Sequence, residues 1–177
     1  MQSEIIIAGS GGQGILFGGT LLAQSALIEN KFTTWFPSYG AEMRGGTANS
    51  TVIIADEEIG SPLIVTPSAL IALNEQSYLK FALKVVKNGL IIANSSLIHD
   101  KNTFKGVKTV WIPATELSDS KLGSAKFANI IALGAFINAT GAVKLENAKK
   151  ACDILMAKKP ELMEKNKSAL ELGFNFK

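Results

Sequence analysis

The feature that most restricts the fold of this chain is an apolar, β-branched run that ends in a glycine-rich turn and leads directly into a helical pattern. Residues Ser3 to Ala8 have the composition of a buried strand, and the turn Gly9 to Gly14 follows them. From Ile15 to Asn30 the apolar residues recur at helical spacing. A strand, a tight turn and a helix in this order predict an α/β fold.

The glycine turn has the pattern G-x-G-x-x-G through Gly9, Gly11 and Gly14. Such a turn directs free backbone amides and a helix N-terminus towards an anion. A dinucleotide site also needs an acidic residue about twenty residues later, at the end of the second strand. The second strand candidate, Phe32 to Phe36, has none. The turn therefore favours a structural role or another ligand over a dinucleotide, and a P-loop is excluded because no Gly-Lys-Ser/Thr sequence follows.

The rest of the chain alternates between strand and helix patterns. Strand patterns occupy residues 32–36, 47–55, 90–93 and 107–112, and residues 59–65, which glycine and proline interrupt, predict an edge strand or an irregular segment. Helix patterns occupy residues 66–86, a short turn from 115, and the ranges 124–141, 144–159 and 160–172. Together they predict one three-layer α/β/α domain over residues 1–177, with a mixed, mainly parallel sheet.

The composition argues against several classes of protein. Apolar residues make up 47% of the chain, charged residues 19%, and the net charge is +3, as in a globular protein. No apolar run reaches the roughly eighteen residues needed to span a bilayer, and the N-terminus leads straight into a strand without a signal sequence, so we expect a cytoplasmic protein that binds no membrane. The lysines after Val143 alternate with acids, which indicates a solvated face rather than nucleic-acid binding.

Cys152 and His99 are each the single residue of their type. A cysteine-ligated cluster or a Ser/His/Asp triad would therefore have to form without its usual residues. The helical pattern predicts that Cys152 is a small core residue, and His99 is predicted to lie on the surface. The sequence offers no candidate catalytic residue and no metal site.

A second glycine-bearing loop, from Pro37 to Ser50, contains Arg44, the only arginine among eighteen basic residues. Only a guanidinium offers a planar fork of donors with a permanent charge. Both glycine loops follow strands, so we expect them to converge at the carboxyl edge of the sheet, where α/β proteins bind ligands. The predicted binding or interface residues are Gly11, Gly12, Gln13, Gly14, Tyr39, Gly40, Glu42, Arg44, Gly45, Gly46 and Thr47. Two secondary candidates are Asn74 and Asn129, the latter either tying a loop to the core or facing a site.

These two loops, Gly-Gly-Gln-Gly at 11–14 and Ser-Tyr-Gly-Ala-Glu-Met-Arg-Gly-Gly-Thr at 38–47, carry a family resemblance. The chain resembles the gamma subunit of 2-oxoacid:ferredoxin (or other acceptor) oxidoreductases, which corresponds to one internal domain of single-chain pyruvate:ferredoxin oxidoreductase. The similarity extends to residues 61–62, 70–74, 113–117, 129 and 133–135. It covers residues 4 to about 140, and the helices in 142–177 are less diagnostic.

The resemblance implies a subunit of an enzyme that oxidatively decarboxylates a 2-oxoacid and releases an acyl-coenzyme A. It implies thiamine diphosphate in alpha and beta subunits, iron–sulfur clusters in a ferredoxin-like delta subunit, and ferredoxin or flavodoxin as acceptor. The gamma subunit would hold no cofactor wholly of its own. Its length is most like that of the free-standing gamma subunits of the 2-oxoglutarate enzyme, which forms succinyl-CoA. The alternatives are a free-standing dinucleotide-binding oxidoreductase and a purely structural scaffold subunit.

The resemblance also places both loops near the thiamine and coenzyme A site. Arg44 would pair with a carboxylate of a partner subunit or with an anionic group of substrate or coenzyme A, and Glu42 would orient it. Gln13 and the amides of Gly11 to Gly14 would donate to the same region. A salt bridge from Arg44 within its own loop is the competing interpretation.

Overall fold

The computed structural model describes residues 2–39 and 47–177, with the side chains of Tyr39 and Thr47 not included. Its strands are β1 (Gln2–Ser10), β2 (Phe32–Tyr39), β3 (Thr47–Ala55), β4 (Ala69–Ala72), β5 (Leu90–Asn94) and β6 (Lys108–Ile112). Its α-helices are α1 (Ile15–Ile28), α2 (Glu75–Phe81), α3 (Ala114–Leu122), α4 (Ala128–Thr140), α5 (Leu145–Leu155) and α6 (Pro160–Phe174). Short 3-10 helices, Ala82–Lys84 and Ala125–Phe127, follow α2 and precede α4.

The strands form one mixed sheet in the order β2-β3-β1-β4-β5-β6. The pairs β1–β4, β4–β5 and β5–β6 are parallel, whereas β3 is antiparallel to both of its neighbours, β1 and β2. The predicted α/β class with a mixed, mainly parallel sheet is confirmed. As a result, β1, β2, β4, β5 and β6 all end at the same edge of the sheet, where β3 begins.

Alternate residues of β1 enter two different cores. Ile5 and Ile7 belong to a large cluster with residues of α1, α4, α5 and α6, whereas Ile6 and Ala8 belong to a smaller cluster with Tyr78 of α2. This alternation is what a strand covered on both sides requires. The two outer layers are unequal, because one side of the sheet carries α1 and α3 to α6, and the other carries α2 and its 3-10 extension.

One predicted helix is wrong in its first half. Residues Ala69 to Ala72 form β4, in which all four residues are buried, and α2 begins only after Asn74, whose side chain accepts a hydrogen bond from the Ser77 amide at 2.9 Å. A strand covered on both sides is continuously apolar, so the spacing of Leu70 and Leu73 fitted a helix by coincidence. Residues 59–65 are irregular, the second of the two alternatives predicted for them.

The predicted positions of the two single residues are confirmed. Cys152 is fully buried in the large core, and burial raises the pKa of its thiol to about 12. The thiol therefore stays protonated at neutral pH and packs as a small apolar group. His99 is exposed in the loop after β5.

Glu29, just beyond α1, connects this helix to the start of α5. Its Oε1 accepts hydrogen bonds from the Lys144 amide at 2.5 Å and from Asn147 Nδ2 at 3.1 Å, and its Oε2 lies 3.4 Å from Lys31 Nζ. Partial burial acts to raise the pKa of this carboxyl. The hydrogen bonds from Lys144, Asn147 and Lys31 and the Lys31 charge outweigh burial, so the pKa is lowered.

Replacing Glu29 by alanine should lower the free energy of unfolding by about 1–3 kcal/mol at pH 7, because the Lys144 amide and Asn147 lose their acceptor. A carboxyl whose pKa is lower in the folded state stabilises the fold fully above its unfolded pKa, and this contribution is lost as pH falls through the folded pKa. The difference between wild type and Glu29→Gln should therefore shrink in acid. Urea unfolding at pH 7 and below pH 4 measures both effects.

The matched control is Glu164→Ala, because the Glu164 side chain is 68% exposed and pairs with Lys167 at the surface. Exposed ion pairs contribute at most about 1 kcal/mol. If Glu29→Ala destabilised the protein no more than Glu164→Ala, the proposed role of Glu29 would be wrong.

Candidate functional site

Hydrogen bonds between Gln13 and Ser10 close the glycine turn after β1. The Gln13 amide donates to the Ser10 carbonyl at 3.2 Å, and Gln13 Oε1 accepts from the Ser10 amide at 2.7 Å. Gly14 then begins α1 in the left-handed conformation, with φ at 70°, which glycine adopts without steric cost. The Gln13 oxygen is therefore used to hold the turn.

Asn129, in the first turn of α4, fixes this turn from the other side. Its Nδ2 donates to the Gly14 carbonyl at 2.8 Å, and a Cβ on Gly14 would lie 2.6 Å from the same nitrogen. Asn129 is only 3% exposed, and its Oδ1 has no hydrogen-bond partner among the described residues. Asn129 therefore ties the loop to the core, one of the two roles predicted for it.

The ends of β1 and β4 are joined by Asn74. Its Nδ2 donates to Ser10 Oγ at 2.5 Å while its Oδ1 caps α2, and the Leu73 amide donates to the Ala8 carbonyl at 2.9 Å. One amide side chain thus holds the first residues after β4 against the last residue of β1. The predicted secondary candidates, Asn74 and Asn129, both lie directly beside the glycine turn.

The residues missed by sequence reasoning are Asn94 and Thr115. Asn94, fully buried at the end of β5, donates to the Leu73 carbonyl at 3.1 Å and to Thr115 Oγ1 at 2.8 Å, and its Oδ1 accepts from the Thr115 amide at 3.3 Å. The available signal was an amide directly after an apolar strand, at the edge where α/β sheets place their polar residues. Asn94 links β4, β5 and the start of α3.

A cleft of about 220 Å³ opens at this edge of the sheet. It is lined by Gly12, Gln13, Leu73, Leu97, Thr115, Ala125, Lys126 and Ala128. A Cβ placed on Gly11 or Gly12 would meet no atom of the described residues within 4 Å, so none of those residues covers the turn. The first turn of α1 has no acidic residue and no side-chain cap. A helix N-terminus of this kind and one lysine favour a negatively charged group.

The second glycine loop begins and ends at the same edge. Tyr39 is the last residue of β2, and Thr47, the first residue of β3, is opposite Ser10 in the sheet register. The structure thus brings Gly11 to Gly14 together with Asn74, Asn129 and the backbone of Tyr39 and Thr47. The remaining predicted residues, Gly40, Glu42, Arg44, Gly45 and Gly46, lie outside the described residues.

The described ranges 2–39 and 47–177 offer neither a metal-binding cluster nor a membrane-spanning helix. Neither range contains a group of three or more His, Cys, Asp or Glu residues that could hold a metal ion. None of the helices described there is both long enough and apolar enough to cross a membrane.

Comparison with known proteins gives one family and subunits of related oxidoreductases. The family described as pyruvate ferredoxin/flavodoxin oxidoreductase matches residues 4–176. The chain is 39% identical to the ketoisovalerate oxidoreductase subunit VorA of Methanothermobacter thermautotrophicus over 97% of its own length, but it spans only 36% of VorA. It is 35% identical to the 2-oxoglutarate synthase subunit KorC of Methanocaldococcus jannaschii, over 98% of this chain and 93% of KorC.

A solved structure has the same fold. The keto/oxoacid ferredoxin oxidoreductase gamma subunit from Geobacter sulfurreducens superposes with a TM-score of 0.82 at 32% identity, over 97% of this chain and 96% of that one. The six-stranded mixed sheet and its helices are therefore an arrangement that this gamma subunit shares.

Proposed function

Because the chain belongs to the pyruvate ferredoxin/flavodoxin oxidoreductase family, we propose that it is the gamma subunit of a 2-oxoacid:ferredoxin (or other acceptor) oxidoreductase. The observation that carries the proposal is the family match over residues 4–176, which includes both glycine loops. The partners are the alpha, beta and ferredoxin-like delta subunits of the same cytoplasmic enzyme, which passes electrons to ferredoxin or flavodoxin. This chain contributes contacts rather than a reacting group.

The substrate we propose is 2-oxoglutarate, oxidised and decarboxylated to succinyl-CoA. The chain spans 93% of KorC, a 2-oxoglutarate synthase subunit, whereas it spans 36% of VorA, a ketoisovalerate oxidoreductase subunit. The similarity to KorC along almost its whole length supports 2-oxoglutarate as the substrate. Substrate choice itself rests mainly on the partner subunits.

The side chains available in this chain decide which cofactors we assign to the partner subunits. An iron–sulfur cluster needs several cysteine thiolates, and the one cysteine here, Cys152, is buried in the core. The cluster therefore does not fit this chain, and we place it in the delta subunit, with thiamine diphosphate between alpha and beta. Coenzyme A, which carries phosphates, does fit the open edge at Gly11, Gly12 and Lys126 as an anionic ligand shared with a partner.

Within the complex, we assign the carboxyl edge of the sheet to the region of the thiamine and coenzyme A site. The open turn at Gly11 and Gly12 and the strand ends at Tyr39 and Thr47 support this assignment, because they bring both loops to one edge. Arg44 supplies the guanidinium that pairs with a carboxylate or phosphate there, with Glu42 orienting it.

Native purification of a tagged copy of the chain from its own organism tests the proposal. We expect co-purifying subunits that contain thiamine diphosphate and iron–sulfur clusters, together with reduction of ferredoxin that depends on both 2-oxoglutarate and coenzyme A. Pyruvate and 2-oxoisovalerate serve as competing substrates in the same assay. A colourless protein without partners would contradict the proposal.

The dinucleotide-binding alternative receives no support from the fold. In a dinucleotide-binding domain the acidic residue stands at the end of a parallel strand next to β1. Here the parallel strand next to β1 is β4, which contains no acidic residue, and β2, separated from β1 by the antiparallel strand β3, contains none either. A scaffold role without coenzyme A contact would appear as an unchanged KM for coenzyme A after mutation of either loop.

A further inference from the structure

The hydroxyl of Thr115, a residue that lines the cleft beside the glycine turn, is held in one orientation by Asn94. Asn94 Nδ2 donates to Thr115 Oγ1 at 2.8 Å, and Asn94 Oδ1 accepts from the Thr115 amide at 3.3 Å. An amide nitrogen can only donate, so Thr115 Oγ1 is the acceptor and the proton of its hydroxyl points away from Asn94 Nδ2. No residue in the ranges 2–39 and 47–177 accepts that proton. Within the described residues, Thr115 therefore keeps a hydrogen-bond donor that the fold does not use.

Backbone groups fix the orientation of Asn94. Its Nδ2 also donates to the Leu73 carbonyl at 3.1 Å, which can only accept, and the Thr115 amide can only donate to its Oδ1. Turning the side-chain amide over would set acceptor against acceptor and donor against donor at these two contacts. Asn94 is fully buried, so water does not compete for its bonds. Asn94 thus holds two residues that line the cleft, Leu73 and Thr115.

Two backbone amides at the start of α3 are already engaged. The Thr115 amide donates to Asn94 Oδ1, and the Glu116 amide donates to Ser96 Oγ at 3.2 Å. The group that Thr115 offers to a ligand is therefore its hydroxyl and not its backbone.

The other residues of the cleft favour a negatively charged group. Lys126 contributes an ammonium group, and none of the ion pairs within the described ranges involves it. Apolar walls surround these two donors, formed by Leu73, Leu97, Ala125 and Ala128. Hydrogen bonds from an ammonium or a hydroxyl to an ionised oxygen are the strong ones, and apolar surroundings strengthen them further. The cleft volume, about 220 Å³, is below the roughly 300–1,000 Å³ of sites that enclose a whole small molecule, so it fits one phosphate or carboxylate group of a larger ligand.

We infer that Thr115 is a ligand-binding residue, whose hydroxyl donates to a phosphate or carboxylate oxygen in this cleft, and that Asn94 is the positioning residue that orients the hydroxyl. This inference rests on the proposed function and adds two residues to its site. In the proposed enzyme, either a phosphate of coenzyme A or a carboxylate of the 2-oxoacid supplies the anionic oxygen.

Thr115→Val tests the inference in the complex purified with the tagged chain, because valine keeps the shape of threonine and removes the hydroxyl. The KM for the ligand that bears the anionic group should rise about 10-fold or more with kcat unchanged, since a hydrogen bond to a charged group is lost. A raised KM for coenzyme A identifies the group as a phosphate, and a raised KM for the 2-oxoacid identifies it as a carboxylate. Thr115→Ser keeps the hydroxyl and should restore most of the affinity.

Asn94→Asp tests the positioning role without removing an atom that contacts the ligand. One carboxylate oxygen can still accept from the Thr115 amide, while the other accepts from the Thr115 hydroxyl and draws its proton away from the cleft. The same KM should rise as in Thr115→Val, and the double variant Asn94→Asp, Thr115→Val should raise it no further, because both changes remove one hydrogen bond. Thermal unfolding of the isolated chains verifies that each variant is folded. If Asn94→Asp does not fold, the valine and serine variants of Thr115 decide the inference.

Ser96→Ala is the matched control, because it removes a hydroxyl that caps the same end of α3 and does not line the cleft. Both KM values should stay at the wild-type level in this variant. An active Thr115→Val enzyme with both KM values unchanged, or an equal loss in Thr115→Ser, would overturn the inference and leave the proposed function standing. A wild-type complex that does not reduce ferredoxin in response to a 2-oxoacid and coenzyme A would overturn the proposed function and this inference with it.

Discussion

Replacing Gly173 by alanine should lower the free energy of unfolding by about 3 kcal/mol, the upper range for overpacking a core. A Cβ at this position of α6 would lie 1.8 Å from the Ile131 carbonyl oxygen of α4. At the same crossing, a Cβ on Gly134 would lie 2.2 Å from the Leu170 carbonyl oxygen. The two helices are thus in backbone contact, and neither backbone can move aside as a flexible side chain could.

The measurement is urea unfolding of the isolated chain, and Gly18→Ala is the matched helical control. A Cβ on Gly18 of α1 would meet its nearest atoms at 3.8 and 3.9 Å, an ordinary packing distance. Alanine is the better helix former by about 1 kcal/mol, so Gly18→Ala should be neutral or stabilising. Equal stability of Gly173→Ala and wild type would show that the close crossing is wrong.

Elements with strong local signals could be predicted from the sequence. The limits of β3, the end of α4 at Gly141 and the start of α6 at Pro160 were all predicted as observed. Each depends on neighbours in the chain: a β-branched run, a glycine in the left-handed conformation or a proline in the first helical turn. Such signals act locally, so they do not depend on how the rest of the domain packs.

Features set by distant contacts could not be predicted. The sequence pattern predicts a helix where β4 lies, because only the position of β4 between β1 and β5 explains four buried residues in a row. Asn94 was missed because its partners, Leu73 and Thr115, are 21 residues away on either side. Leu79 and Leu83 fit the helical spacing of residues 66–86, yet both are exposed in the structure.

The candidate site was predictable in part. Spacing and the family resemblance selected Gly11 to Gly14, Asn74 and Asn129, which the structure places side by side. Their hydrogen bonds show that three of these side chains, Gln13, Asn74 and Asn129, are engaged in holding the turn. Gln13 and Lys126 also line the cleft beside the turn. The glycine pattern predicts backbone amides there, but it does not single out Lys126.

Arg44→Ala should weaken assembly of the complex or its affinity for coenzyme A by about 2–5 kcal/mol, because truncating one member of a buried charge pair leaves the other unpaired. This corresponds to a loss between about 30-fold and about 5,000-fold. Capture of partner subunits by the tagged chain and the KM for coenzyme A measure the two effects separately. Arg44→Lys keeps the charge without the planar fork, so a bidentate pairing predicts that lysine restores only part of the loss.

Stability of the isolated chain distinguishes the two roles left open for Arg44. If the guanidinium closes a salt bridge within its own loop, Arg44→Ala lowers the unfolding temperature of the isolated chain. If it pairs with a partner or coenzyme A, that temperature is unchanged, while capture of the partner subunits weakens or the KM for coenzyme A rises. Lys158→Ala, which removes an exposed cation between α5 and α6, controls for the loss of one positive charge. Normal assembly and turnover of the Arg44→Ala enzyme would show that Arg44 has no role at the proposed site.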